Sequence, residues 1–236
     1  MESPIFNLDS VSLSYRFKPV VQDLSLSLGE GRCLGVLGSN GAGKTTMVRA
    51  ILGMIRPLSG SVTVLGYQPG STQCFRELAY VPEEGSAPEF LSPLEYLKMI
   101  RSLYRLESKS SVCDEEIGFF ELDPHKKIRQ LSKGNRRRLL LAAAFMVRPR
   151  FLILDEPING LDPMMVIKLR QRLQDFCAQG SSILICSHIL SEVEKVCSDI
   201  AILKLGRKVY SGTVAAAEAE YGGLENAFAK LAGAAT

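Results

Sequence analysis

Apolar and polar residues alternate with a period of two at positions 11–15 and 24–28, which predicts two antiparallel strands with one face buried. At 33–37 the alternation stops, and Cys33, Leu34, Gly35, Val36 and Leu37 form an unbroken apolar run, as in a parallel strand covered on both faces. A glycine-rich stretch then leads into a helical pattern over 45–55, giving the order strand, loop, helix. A further alternating strand is expected at 61–65, after the turn Pro57-Leu58-Ser59-Gly60. From 84 to 147 the texture is helical, with apolar spacing at 94–106 and 139–147. An apolar strand returns at 151–154. Asp162 before Pro163 then caps a helix whose stripe is Val166, Leu169, Leu173 and Phe176 and whose stop is Gly180. Another apolar strand falls at 182–186, a short helix at Leu190, Val193 and Cys197, and a hairpin at 200–205 and 208–210 turning at Gly206-Arg207. The alanine-rich tail from Thr213 reads as helical.

The expected fold class is α/β: a core with a mostly parallel sheet and an N-terminal antiparallel β subdomain, formed by 1–83 and 148–236, with an inserted α-helical subdomain at 84–147. At 236 residues and 46% hydrophobic content the chain can bury a sizeable core, which excludes a disordered protein. A formal net charge of +3 argues for no nucleic-acid partner. The longest apolar run, 139–147, is closed by Arg138 and Arg148 and is far short of the roughly 20 residues of a membrane span. The start, Met1-Glu2-Ser3-Pro4, lacks the basic flank and apolar stretch of a secretory signal, so a cytoplasmic location is expected. Six scattered cysteines without metal-ligand spacing read as reduced, packed thiols.

Gly38-Ser39-Asn40-Gly41-Ala42-Gly43-Lys44-Thr45 fits GxxxxGK[ST] and stands between a buried strand and a helix. Such a P-loop wraps backbone N–H groups around phosphates, with Lys44 reaching β and γ oxygens and the Thr45 hydroxyl available to Mg²⁺. Thr46 follows on the same loop. After the 151–154 strand come Asp155 and Glu156, two carboxylates at the edge where ligands of parallel sheets collect. Asp155 suits the Mg²⁺ shell, and Glu156 can polarise an attacking water. The pairing predicts an ATP-hydrolysing site using ATP and Mg²⁺.

Leu131-Ser132-Lys133-Gly134-Asn135, just upstream of the Asp155 strand, resembles the signature motif of ATP-binding-cassette (ABC) ATPases. The resemblance spans nearly the whole chain. Tyr15 is similar to the family's adenine-stacking aromatic, Glu83 occupies the loop position after Tyr80-Val81-Pro82, Asn159-Gly160-Leu161-Asp162 resembles the D-loop, and His188 the switch histidine that faces the γ-phosphate. By that resemblance, Ser132 and the Gly134 backbone contact ATP held on a second ATPase subunit, identical or a paralogue, in a head-to-tail dimer. Read alone, Ser132 is also a helix cap. Three departures stand out: LSKGN for LSGGQ, Glu83 for a loop glutamine that senses Mg²⁺, and Ile158 for a threonine. The lysine-bearing signature and the Pro-Glu-Glu loop resemble exporter ATPases that work with a separate integral membrane permease, implying a peripheral place on the cytoplasmic face of the membrane.

Arg136-Arg137-Arg138 and Lys126-Lys127, offset by Asp114-Glu115-Glu116, read as a solvated helix face, the alternative being contact with a membrane subunit or lipid headgroups. The competing function is an ABC ATPase acting on ribosomes or DNA. Its relatives carry paired cassettes, a coiled coil or zinc modules, for which this length leaves no room. A P-loop kinase or a GTPase leaves the signature and His188 unexplained, and no NKxD-like guanine reader is present.

Overall fold

The structure is a computed structural model and describes residues 4–15, 18–106 and 111–233. Its centre is a six-stranded sheet of β3 (Cys33–Leu37), β5 (Leu78–Val81), β6 (Phe151–Asp155), β7 (Ser182–Ser187), β8 (Asp199–Lys204) and β9 (Arg207–Thr213). The order is β5-β6-β7-β3-β8-β9, with every pairing parallel except β8 with β9. Side chains of the central strands point alternately to two cores. Leu152, Leu154, Ile183, Ile185, Ile200 and Ile202 face one, and Phe151, Ile153, Leu184, Cys186, Ala201 and Leu203 face the other. Both faces are covered, which is why these segments read as unbroken apolar runs.

A second sheet, β2-β1-β4, is antiparallel and built from β1 (Phe6–Tyr15), β2 (Lys18–Leu28) and β4 (Ser59–Val64). It closes the core that contains α1 (Lys44–Ile51), and Phe6 stacks on Phe151 at 5.6 Å across that core. Helix α1 ends at Ile51, short of the 55 that its pattern suggests. Two residues on, Gly53 has φ +74, and a side chain there would meet the backbone of Pro69 and Gly70. A short helix that the sequence pattern did not reveal, α2 (Thr72–Glu77), precedes β5.

Between the adjacent strands β5 and β6 run α3 (Pro93–Leu103), α4 (Ser111–Phe119), a 3-10 turn at Ile128–Gln130, and α5 (Lys133–Met146). Ser92 and Glu95 cap α3 reciprocally, and Ser132 caps α5 by accepting the Asn135 N–H. These helices share one continuous core with α6 (Pro163–Ala178), α7 (Leu190–Val196) and α9 (Leu224–Ala232), while α8 (Val214–Tyr221) links β9 to α9. The 200–213 hairpin turns one residue earlier than expected. Leu205 (φ 49) and Gly206 (φ 79) are its central pair, and Arg207 already belongs to β9. Two consecutive left-handed residues match the right-handed twist of the flanking strands. Among the described residues no helix is long and apolar enough to cross a membrane. All six cysteines are free, five of them buried, as the sequence suggested.

Candidate active site

The P-loop joins β3 to α1 at the centre of the sheet. A Cβ on Gly38 would lie 2.7 Å from the Leu203 carbonyl oxygen and 2.8 Å from the Ala42 side chain, so only glycine lets the loop pass this close to β8. Gly43 (φ 105) starts α1 without a side-chain cap, leaving the helix N-terminus open to an anion. Residues Ser39, Asn40, Gly41, Ala42, Gly43, Lys44, Thr45 and Thr46 line a cavity of about 290 Å³ together with Val20, Glu83, Asp155 and Glu156. The loop, the end of β5 and the end of β6 therefore converge, although they are distant in sequence.

Lys44 is buried and donates to the Gly38 carbonyl at 2.5 Å and to that of Ser39 at 3.4 Å. The Thr45 hydroxyl donates to Asp155 Oδ2 at 3.1 Å. Burial holds the Asp155 carboxyl above the usual carboxylate range. The Thr45 hydrogen bond and the charge of Lys44 oppose that rise, and the neighbouring Glu156 and Glu83 charges add to it. Three carboxylates facing one lysine form a site that gains from an added cation. Among the described residues no group of three His, Cys, Asp or Glu side chains is arranged to hold a metal alone.

Glu156 sits in a left-handed turn (φ 48), and its N–H returns to the Cys186 carbonyl at 2.9 Å. The turn carries its carboxylate to the end of β7, where Ser187 Oγ donates to Oε2 at 3.1 Å and His188 Nδ1 lies 2.8 Å from Oε1. With the carboxylate accepting, Nδ1 carries the hydrogen and Nε2 remains available on a half-exposed ring. Ser187 was not singled out in the sequence. A polar residue ending an apolar strand beside the expected histidine was its available signal.

The remaining expected residues lie outside the cavity. Tyr15 ends β1, paired with Lys18 and 53% exposed, and it is Val20 of β2, on the same antiparallel sheet, that lines the cavity. Ser132 and Gly134 stand at the start of α5, with the Gly134 Cα so close to the Gly160 carbonyl that a Cβ would be 2.6 Å from its oxygen. The signature-like and D-loop-like segments thus touch within this chain.

The basic run corrects the sequence reading. It is a solvated face only in part: Lys126 is exposed and Arg136 and Lys127 are partly so, reaching Glu89 and Glu95, but Arg137 is 5% exposed and Arg138 is mostly covered, pairing with Asp162 and Glu121. Nor does Glu116 offset it, since that side chain is buried and paired with Arg172 of α6. Arg137 recurs with Leu141 and Phe145 at helical spacing on the buried stripe of α5. That register with apolar positions was the signal that set it apart from a surface charge.

An α/β core with a P-loop, an Asp-Glu strand end and a histidine just past the next strand defines a P-loop ATPase. Residues 21–159 match the ABC transporter family. The Nod factor export ATP-binding protein I of Rhizobium leguminosarum bv. viciae is 38% identical over 217 residues, covering 89% of this chain and 70% of that protein. A solved structure described as the ATP binding subunit of an ABC transporter superposes with a TM-score of 0.89 at 28% identity, covering 96% of this chain and 99% of that one. A second, the dimeric post-hydrolysis state of the ATP-binding cassette MJ0796 bound to ADP and Pi, has a TM-score of 0.79 at 21% identity over 88% of this chain and 98% of that one, a likeness of fold. The chain belongs to the ABC transporter family, among its ATP-binding subunits, and is an ATPase. It spans between 57% and 70% of the length of curated relatives that it matches.

Proposed function

We propose that this chain binds ATP with Mg²⁺ in the P-loop cavity, hydrolyses it on a head-to-tail dimer, and so drives export through a separate membrane permease. The observation that carries the reading is the 3.1 Å contact between the Thr45 hydroxyl and the Asp155 carboxylate, with Glu156 next along the strand. Two oxygen ligands and a base come together from segments more than a hundred residues apart.

Backbone N–H groups of 39–46 and the α1 N-terminus hold the phosphates, and Lys44 leaves its loop carbonyls for the β and γ oxygens. Thr45 and Asp155, with Glu83 nearby, would hold Mg²⁺, whose chemistry is to neutralise charge on the β and γ phosphates. Glu156 accepts a proton from water as the water oxygen bonds to the γ-phosphorus. The bond from that phosphorus to the bridging oxygen breaks, leaving ADP and phosphate. His188 faces the γ-phosphate through Nε2 while Nδ1 orients Glu156. Tyr15 stacks on adenine, and Ser132 and Gly134 face the ATP of the partner chain, outside their own cavity. The 84–147 segment forms the helical body that meets the permease, and 1–83 with 148–236 forms the nucleotide-binding body, peripheral to the cytoplasmic face. The export assignment leans on the Nod factor relative and on the Lys133 and Glu83-Glu84 departures.

The test is Glu156→Gln. Binding survives while water activation is lost, so turnover falls by roughly 10²–10⁴-fold and an ATP-dependent dimer accumulates on size exclusion. Wild-type steady-state hydrolysis in this variant refutes the role of Glu156.

A further inference from the structure

Arg137 projects from the second turn of α5 into the space between the ends of β5 and β6. Every hydrogen bond it makes among the described residues ends on a main-chain carbonyl. Nη1 donates to Pro82 and, at 3.4 Å, to Glu83; Nη2 donates to Asp155 at 2.5 Å and Glu156 at 2.7 Å; Nε donates to Pro157 at 3.3 Å. The five N–H groups of one planar fork thus meet five carbonyls on two loops.

Those loops continue the parallel pair β5 and β6, whose last matched residues are Val81 and Leu154. Asp155, the last residue of β6, still pairs with Cys186 of β7; past Val81 and Asp155 the chain leaves the sheet, and Arg137 takes up the carbonyls there, sharing that of Glu156 with the Asn159 N–H at 3.3 Å. One loop carries Glu83 and the other carries Asp155 and Glu156, so the guanidinium sets the spacing of three carboxylates through their backbones. The Glu156 turn is left-handed, a conformation that a non-glycine residue keeps only when its surroundings hold it. Arg137 bonds the carbonyl on that turn and those on either side of it.

We infer that Arg137 is a positioning residue for hydrolysis, locking the Glu83 loop and the Glu156 turn in one register from the signature-bearing helix. The inference rests on the assignment of Glu156 as base. Because the nucleotide is gripped chiefly by the P-loop, loss of the fork displaces the base more than it weakens binding. Lysine keeps the charge but offers three donors from one point, so it cannot span both loops.

The experiment compares the full wild-type chain with Arg137→Lys and Arg137→Gln by thermal unfolding, calorimetric ATP affinity, and kcat and KM. Both variants are expected to fold and to bind ATP within about threefold of wild type, with kcat lower by about 10²-fold and KM little changed, the pattern of a misplaced group. Lysine is expected to rescue little over glutamine. Wild-type kcat in Arg137→Lys overturns the inference, as does a loss confined to KM, or failure of both variants to fold, which would make Arg137 a support of the fold instead. A wild-type chain that binds no ATP is a separate result: it refutes the site itself and this inference with it.

Discussion

Glu116 of α4 and Arg172 of α6 form a buried ion pair that ties the helical segment to the rest of the core. Glu116 is 5% exposed, and one of its oxygens, Oε2, has no hydrogen-bond partner among the described residues. Burial outweighs the attraction of Arg172 and pushes its carboxyl from 4.5 up to about 6. A carboxyl raised on folding favours the protonated native state. Its stabilising contribution is therefore complete below pH 4.5 and is lost as pH rises through 6, a gap worth about 2 kcal/mol. The Arg172 guanidinium also lies 4.2 Å from the Phe119 ring centre and 5.0 Å from that of Phe145. Arg172→Met keeps apolar contact with the rings and removes the countercharge. At pH 8 an uncompensated buried carboxylate costs about 3–5 kcal/mol. Because the Arg172 side chain is 25% exposed, the lower end of that range applies. At pH 5.5 Glu116 takes up a proton, and the deficit shrinks toward the lost cation–π contact, about 1 kcal/mol. Urea unfolding followed by circular dichroism at both pH values measures the two deficits, and adding Glu116→Gln should recover most of the loss at pH 8. Equal deficits at pH 8 and pH 5.5 would refute the argument, because a packing defect does not titrate.

Two other substitutions test the P-loop and the start of α5. Lys44→Ala removes the cation that faces the carboxylates and that the proposed function assigns to the β and γ oxygens, and calorimetry should show ATP affinity reduced by at least about tenfold; unchanged affinity contradicts the phosphate contact. Gly134→Ala places a Cβ 2.6 Å from the Gly160 carbonyl oxygen, so denaturant unfolding should show a loss of about 1–3 kcal/mol, whereas equal stability would mean that the two loops part freely.

Much of this was legible along the chain because its causes are local. The P-loop, the Asp155-Glu156 strand end and the Ser132 cap are contiguous, and their residue types follow from backbone needs within a few positions: glycines where the loop nears β8, apolar runs where both sheet faces are covered. The family resemblance rested on the order of such segments. Tyr15 shows the limit of this reading, since its position on β1 was foreseen but the cavity beside the loop is lined by Val20.

The amino-acid order alone determined which residues are chemically able to bind phosphate, metal and water, since that depends on side-chain type and short-range spacing. Only the tertiary structure decided how they are held. A strand order in which β7 separates β6 from β3 brings Ser187 and His188 onto Glu156, and helix α5, crossing the strand ends, turns one arginine of a surface-looking run into a buried fork. Both are contacts between distant segments, and whether a charge is solvated or clamped depends on what packs over it.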